Sequence, residues 1–304
     1  MRILVTGASG LLGLNLALEA SRQHVVFGTV KEHALRTEAF SVHRVDLLTP
    51  GAIERLLEQT QPDWVIHCAA LALVDACEAN PALASQLNIE VPSQLARHVA
   101  RGGARLVHIS TDAVFDGQRG DYTEEDIPNP LSVYARTKLD GERAVSEADS
   151  RAIIARVNLF GWSLGGSRSL AEWFFSNLRE KKQVMGFTDV LFCPLLANDL
   201  AQVLLKMLEK DLSGLYHAVG GRCLSKYEFG MALAHRFGFD QSLIAPTSVL
   251  DGGLKAARSP NLTLRTEKLV RALGEPLPEV FGGLERFYQQ YLEGYHEKIQ
   301  ALSA

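Results

Sequence analysis

A threonine, a tyrosine and a lysine near the middle of the chain have the types and the spacing of a proton-transfer site. Thr111 ends an apolar run, and Tyr134 and Lys138 follow it, four residues apart. In a helix this spacing places both side chains on one face, one turn apart. Because a nearby cation favours the phenolate, we expect Lys138 to lower the pKa of Tyr134. A phenol tuned in this way can exchange a proton with a carbonyl or alcohol oxygen, and Thr111 can bind the same oxygen.

The glycines near the start of the chain predict the hydride carrier that such a trio needs. A short apolar run, Arg2 to Thr6, leads directly into three glycines spaced as GxxGxxG, and a helical pattern follows. Gly7 permits a tight turn, Gly10 lets backbone amides approach a pyrophosphate, and Gly13 lets the helix pack closely on the strand. Three glycines can also merely tighten a turn. The strand–turn–helix context favours a dinucleotide site, to which we assign Gly7, Ser9, Gly10, Leu11, Leu12 and Gly13.

The end of the second predicted strand is where the choice of cofactor is made in such sites. An acidic residue there binds the ribose 2′-hydroxyl of NAD, whereas a basic residue accepts the 2′-phosphate of NADP. The run Val25 to Val30 is followed by Lys31 and then by Glu32. The order favours NADP(H) over NAD(H), although ordinary solvated charges would have the same appearance.

Two further strand ends are candidates for contact with the nucleotide. Asp46 and Leu47 follow the third predicted strand, where the carboxylate of Asp46 can meet the adenine amine. The fourth strand ends in small residues, Ala69 and Ala70, against which a nucleotide can lie. We therefore add Lys31, Asp46, Leu47, Ala69 and Ala70 to the predicted cofactor site.

Strand-like runs alternate with helical patterns through residue 157, which predicts an α/β fold with a doubly wound parallel sheet of the Rossmann type. With 304 residues and 47% hydrophobic content, the chain can bury a large core. We expect a dinucleotide-binding domain over residues 1–157. Residues 158–304 are expected to form mainly a smaller α/β substrate lobe, with residues from about 189 to 218 returning to the first domain.

The composition argues against several other classes of protein. A net charge of −4 gives no electrostatic reason to expect nucleic acid or an anionic membrane as a partner. No apolar run approaches the ~20 residues of a transmembrane helix. The cysteines have no metal-binding spacing, so we expect unpaired thiols, no metal site and a cytoplasmic protein; they are Cys68, Cys77, Cys193 and Cys223.

Together, the glycine turn, the segment Ser110 to Gly117 and the segment Tyr134 to Glu142 resemble the extended short-chain dehydrogenase/reductases. The resemblance implies that Thr111, Tyr134 and Lys138 are the catalytic trio. Tyr134 would protonate the forming alkoxide, while Lys138 would also bind the nicotinamide ribose, so that Tyr134 and Lys138 belong to the cofactor site as well.

The second half of the chain narrows the resemblance. The segment from Ala257 to Leu269 is similar to one in dTDP-4-dehydrorhamnose reductases, although Ser259 separates the usual Arg-Pro pair. This similarity implies a nucleotide-activated 4-keto-6-deoxy sugar as substrate. Asp112, Ala113, Asn158 and Arg258 are the predicted substrate contacts. Asn158 can equally be a turn residue, and Arg258 can equally form a structural salt bridge.

Two alternatives remain open, and one is disfavoured. The chain also resembles sugar-nucleotide epimerases, which retain NAD between half-reactions, and the non-catalytic, NADP-binding β subunit of methionine adenosyltransferase. Sugar-nucleotide 4,6-dehydratases have Thr-Asp-Glu where this chain has Thr111, Asp112 and Ala113, so the missing glutamate argues against them. Ala113 also replaces an aromatic residue that is usual in the reductases. The aromatic-rich C-terminal helix leaves core packing and a homodimer contact both open.

Overall fold

The structure is a computed structural model that describes residues 1–251 and 259–303. The strands of the described part are, in chain order, β1 (Arg2–Thr6), β2 (Val25–Val30), β3 (Ser41–Arg44), β4 (Trp64–His67), β5 (Arg105–Thr111), β6 (Ile153–Val157), β7 (Leu159–Phe160), β8 (Val184–Phe187), β9 (Leu191–Phe192), β10 (Leu195–Leu196), β11 (Gly214–Ala218), β12 (Leu224–Ser225) and β13 (Ile244–Thr247). Seven of them form one sheet in the order β3-β2-β1-β4-β5-β6-β11, and every pair in it is parallel. This topology confirms the predicted α/β fold.

Helices cover both faces of the sheet. They are α1 (Leu11–Ala20), α2 (Ala52–Thr60), α3 (Val74–Ala79), α4 (Pro81–Ser85), α5 (Val91–Gly102), α6 (Val133–Ala148), α7 (Leu170–Arg179), α8 (Ala197–Glu209), α9 (Lys226–Phe237), α10 (Glu267–Leu273), α11 (Val280–Leu292) and α12 (Tyr295–Gln300). None of the helices within residues 1–251 and 259–303 is long and apolar enough to cross a bilayer.

Alternation along β1 shows how the two faces acquire separate cores. Ile3 and Val5 point into a large apolar cluster that also contains residues of α1 and α8, and Leu4 points into a second cluster on the other face. The second cluster takes its helical members from α2, α5 and α6. A strand buried on both faces is a continuous apolar run, as β1 is in sequence.

The second half of the chain adds one strand to the main sheet and forms three small pairs. β11 pairs with β6, whereas β7–β10, β8–β13 and β9–β12 are two-stranded. Ser225 and Glu228 form the expected capping box at the start of α9. The division of the chain into two domains stays a prediction.

Three local expectations differ from the structure. The single helix expected over Pro81 to Ala100 is instead α4, a π-helical turn (Gln86–Glu90) and α5. The expected helix from Phe281 to Leu302 is divided into α11 and α12 at Gly294, which has a φ of +68°. The expectation of four thiols is wrong for two cysteines, because Cys193 and Cys223 form a disulfide. Their spacing of 30 residues carries no sequence signature, and the fold brings them together.

Candidate functional site

The backbone is packed so closely at the turn between β1 and α1 that a side chain would not fit at Gly7 or at Gly13. Gly7 has a φ of +68°, and a Cβ there would lie 2.8 Å from the backbone nitrogen of Ala69. A Cβ at Gly13 would lie 2.2 Å from the carbonyl oxygen of Gly7, so α1 packs directly on the turn. Gly10 is the N-cap of α1. The open amino end of the helix can accept a pyrophosphate, so the residues present fit a dinucleotide.

A cavity of about 440 Å³ opens beside this turn, at the carboxyl ends of the central strands. Doubly wound sheets bind their ligands at this edge. The predicted site residues that line the cavity are Gly10, Leu11, Leu12, Gly13, Ala70, Thr111, Asp112, Tyr134, Lys138 and Asn158. The fold therefore brings the predicted trio and the glycine turn into one cavity, although they are about 100 residues apart in sequence.

Thr111 and Asp112 start a single 3₁₀ turn (Asp112–Val114) at the end of β5. The Thr111 hydroxyl accepts from the backbone nitrogen of Ala113 at 3.2 Å and donates to Asp112 Oδ1 at 3.1 Å. Asn158 Nδ2 donates to Asp112 Oδ2 at 2.6 Å. Burial raises the pKa of Asp112 to about 6, although the bonds from Asn158 and Thr111 act to lower it. A carboxyl group that titrates near neutral pH thus lies beside Thr111.

The expected lowering of the Tyr134 pKa is wrong for this structure. Burial, together with the negative charge of Asp112, raises the pKa of Tyr134 to about 12, while a hydrogen bond with Thr111 acts to lower it. Lys138 does not offset the burial because its ammonium is directed elsewhere: Nζ donates to the carbonyl oxygen of Ile109 at 2.6 Å and lies 3.4 Å from His108 Nε2. Tyr134 therefore keeps its proton at neutral pH.

Lys138 is itself perturbed by burial. Its side chain is only 3% exposed. Burial lowers the pKa of Lys138 to about 8, against the opposing influence of Glu142. The sequence placed Lys138 one turn from Tyr134 on α6, and α6 begins at Val133 with Ser132 as its N-cap, where the Ser132 hydroxyl accepts from Ala135.

A buried ion pair holds the site's three elements together. Arg156 on β6 donates to both carboxylate oxygens of Glu142 on α6, from Nε to Oε1 at 3.0 Å and from Nη2 to Oε2 at 2.8 Å. Ser110 on β5 donates to the same carboxylate at 2.5 Å, and the Arg156 guanidinium lies 5.0 Å from the centre of the Phe115 ring. The arrangement fixes α6, and with it Tyr134, against the ends of β5 and β6.

The residues predicted to meet the adenosine end lie at the edge of the sheet beside β2 and β3. Lys31 Nζ lies 3.2 Å from Asp46 Oδ2, and Arg44 Nε donates to the carbonyl oxygen of Lys31 at 3.1 Å. Leu47 is different, because its side chain is buried in the apolar core and leaves only its backbone for a ligand. Ala69 donates its N–H to the Thr6 hydroxyl at 3.3 Å.

The π-helical turn explains how the wall after β4 is held. Asn88 is buried within it, and its side chain accepts from Leu71 N at 2.9 Å and donates to Leu71 O and Thr137 Oγ1 at 3.1 and 3.0 Å. Asn88 thus joins the loop after β4 to α6, close to Lys138.

Arg44 and Arg168 are candidate cofactor contacts that the sequence did not reveal. The exposed Arg168 lines the cavity on the side of the glycine turn. Its backbone N–H is fixed by a bond to Glu172 Oε2 at 2.9 Å. A sequence signal existed: Ser169 and Glu172 form a capping box, which places Arg168 just before α7.

The remaining predicted contacts are less central. Ala113 is partly buried in the 3₁₀ turn and does not line the cavity, and Ser9 is partly buried on the glycine turn. Arg258 lies outside the described residues. Ser259, next to it, donates to the carbonyl oxygen of Phe115 at 3.0 Å. Within residues 1–251 and 259–303, no group of three or more histidine, cysteine or acidic side chains could hold a metal.

The parallel sheet, the glycine turn and the cavity define an extended short-chain dehydrogenase/reductase. The sequence profile of the RmlD substrate-binding domain matches residues 1–293, and the chain belongs to this family of NAD(P)-dependent sugar-nucleotide reductases.

Individual relatives include both a reductase and a subunit of another enzyme. The β subunit of methionine adenosyltransferase 2 from Rattus norvegicus is 35% identical over 279 residues, which is 88% of this chain and 81% of that protein. A probable low-salt glycan biosynthesis reductase, Agl14, from Haloferax volcanii is 31% identical over 299 residues, 96% of this chain and 99% of that one. A solved dTDP-4-dehydrorhamnose reductase from Bacillus anthracis in complex with NADP has a TM-score of 0.81 and 26% identity, over 95% of this chain and 99% of that one.

Proposed function

We propose that the protein is an NADPH-dependent reductase of a nucleotide-activated 4-keto-6-deoxy sugar, with dTDP-4-dehydrorhamnose as the simplest candidate. The observation that carries this proposal is the meeting of Thr111, Tyr134 and Lys138 in one cavity beside the glycine turn. The solved relative with NADP bound and the haloarchaeal glycan reductase support it.

The residues divide the chemistry between them. The amino end of α1 and the Lys31 and Arg44 side chains hold the cofactor, which when bound supplies a hydride to a ketone carbon. Tyr134, protonated at neutral pH, donates its proton to the oxygen that becomes the alcohol. The Thr111 side chain is hydrogen-bonded to Tyr134 and orients that oxygen. Lys138 lines the same cavity and would bind the ribose of the nicotinamide.

The proposal is tested by turnover. The purified protein should consume NADPH with at least one keto-sugar nucleotide, and Tyr134→Phe should lower kcat by a factor of about 10² or more, because general acid catalysis contributes that much. No consumption with any dTDP-, UDP- or GDP-linked 4-keto sugar would overturn it.

A second candidate is a non-catalytic subunit of a larger enzyme. The 35% identity to a methionine adenosyltransferase β subunit favours it. The complete trio in one cavity argues the other way, because a scaffold has no chemical need for a buried lysine beside a tyrosine and a threonine. Stoichiometric binding to a methionine adenosyltransferase, together with no turnover, would favour the subunit.

A further inference from the structure

Three polar side chains form a row across the sheet directly beneath Lys138. Thr6 on β1 stands opposite His67 on β4, which stands opposite His108 on β5. Leu4, two residues before Thr6 on β1, lies in the apolar cluster to which α6 contributes, so the row faces α6. The core at these strand positions is otherwise apolar, so two adjacent buried imidazoles require an explanation.

The row has a hydrogen bond at each end and none between the imidazoles, because His67 Nε2 and His108 Nδ1 have no partner within the described residues. His67 Nδ1 lies 2.7 Å from Thr6 Oγ1, and Lys138 Nζ lies 3.4 Å from His108 Nε2. The two rings stack with their centroids 5.6 Å apart and their planes 22° apart. An ammonium only donates, so His108 Nε2 must accept and the proton of that ring must sit on Nδ1.

Both imidazoles stay neutral, which is what an acceptor requires. His67 and His108 are 1% and 0% exposed. Burial, with the charge of Lys138, lowers the pKa of His67 to about 3 and that of His108 well below its usual range.

Among the titratable groups around Lys138 in the described part of the chain, His108 is the side chain that accepts a hydrogen bond from the ammonium. Glu142 on α6 is committed to Arg156 and Ser110. Burial raises the pKa of Cys68, after β4, to about 12, so it stays an uncharged thiol; Tyr134 also stays protonated, as described above. Within the described residues, the hydrogen-bond acceptors of the Lys138 ammonium are the Ile109 carbonyl and His108.

We propose that His108 is the positioning residue of Lys138: its neutral Nε2 accepts from the ammonium, keeps that group charged in a buried site and fixes its position beside the Ile109 carbonyl. His67 holds the His108 ring in place by stacking. The catalytic consequence rests on the proposed function, whereas the hydrogen bond does not.

The first test measures the pH dependence of NADPH binding in substituted proteins. The charged form of Lys138 is disfavoured without the imidazole acceptor. His108→Phe should therefore lower the pH at which NADPH affinity is lost on the alkaline side by about one unit. Above that pH, the Kd for NADPH should be about tenfold higher than in the wild type. His108→Gln keeps an acceptor near the position of Nε2 and should restore the wild-type profile. His217→Phe, which removes another fully buried imidazole, should cost stability but leave the profile unchanged. Equal shifts in the Phe and Gln variants, or none in either, would overturn the proposal.

The second test needs neither cofactor nor turnover. In ¹⁵N-labelled wild-type protein, NMR should find His108 as the neutral tautomer with its proton on Nδ1 from pH 6 to pH 8. A proton on Nε2, or an imidazolium, would contradict the proposal even if His108→Phe does not fold. Turnover that depends on Tyr134 but not on His108 would sink this inference alone. An Nδ1–H tautomer in a protein that reduces no sugar nucleotide would sink the proposed function alone.

Discussion

At the scale of single residues, the basic groups at the ends of β2 and β3 carry the choice of cofactor. Lys31 was visible in sequence as a cation where an acidic residue would favour NAD. Arg44 was not, because 13 residues separate it from Lys31 and only the parallel pairing of β2 with β3 brings them together. Arg36, also close to Lys31 in sequence, lies at the opposite end of β2 with His24 and Val25.

Lys31→Ala should therefore weaken NADPH binding more than NADH binding. Lys31 is half exposed, so we expect a loss of about 1 kcal/mol, or roughly fivefold in Kd for NADPH, and almost none for NADH. Calorimetric titration with both cofactors measures the difference, and Arg36→Ala serves as the matched control. Equal losses for both cofactors would show that Lys31 does not contact the 2′-phosphate.

The buried carboxyl group of Asp112 makes the stability of the folded protein depend on pH. Its pKa in the folded state is about 6, above the ordinary value of 3.8, so the unfolded chain releases this proton more readily. The charged carboxylate therefore costs stability above pH 6, and the cost disappears as the pH falls toward 4. Asp112→Asn should raise the free energy of unfolding by about 1–3 kcal/mol at pH 7.5 and by little at pH 4. Urea denaturation at both pH values checks this, and an equal change at the two would contradict it.

At the scale of elements, α6 carries both Tyr134 and Lys138, and its neighbours set its place. The sequence predicted this helix over residues 132–148, and the structure has it over Val133–Ala148. The sequence did not predict the π-helical turn, because such turns are rare and the five residues Gln86–Glu90 are too few to show a periodicity of their own. Only the folded contacts show that Asn88 binds Leu71 and Thr137.

Asn88→Ala should loosen the wall of the cavity. The substitution leaves the backbone groups of Leu71 without partners, so we expect a loss of about 1–3 kcal/mol in unfolding free energy and faster amide exchange at Leu71. Asn129→Ala, which removes an exposed amide, should change the stability by less than about 0.5 kcal/mol. Unchanged exchange at Leu71 would mean that Asn88 does not hold the loop.

At the scale of the whole molecule, the doubly wound parallel sheet could be predicted from the alternation of strands and helices, whereas the strand order and the long-range pairings could not. β11, which lies in the stretch of residues 189–218 expected to return to the first domain, pairs with β6. The disulfide between Cys193 and Cys223 has no local signal. The trio was predicted by its spacing, but the direction of the Lys138 ammonium depends on β5 beneath it.

The disulfide gives a prediction that can be checked on the unfolded chain. Protein purified without reductant and unfolded in guanidinium should show two titratable thiols, Cys68 and Cys77. After reduction it should show four. Four thiols before reduction would restore the expectation drawn from the sequence.

The central claim is that the cavity passes a hydride to a sugar ketone while Tyr134 supplies the proton, and isotope transfer tests this most directly. With NADPH that carries deuterium at the transferred position and dTDP-4-dehydrorhamnose, we predict one deuterium at C4 of the product sugar by mass spectrometry and NMR. Tyr134→Phe should transfer almost none. Product without deuterium, or equal transfer by Tyr134→Phe and the wild type, would contradict this account.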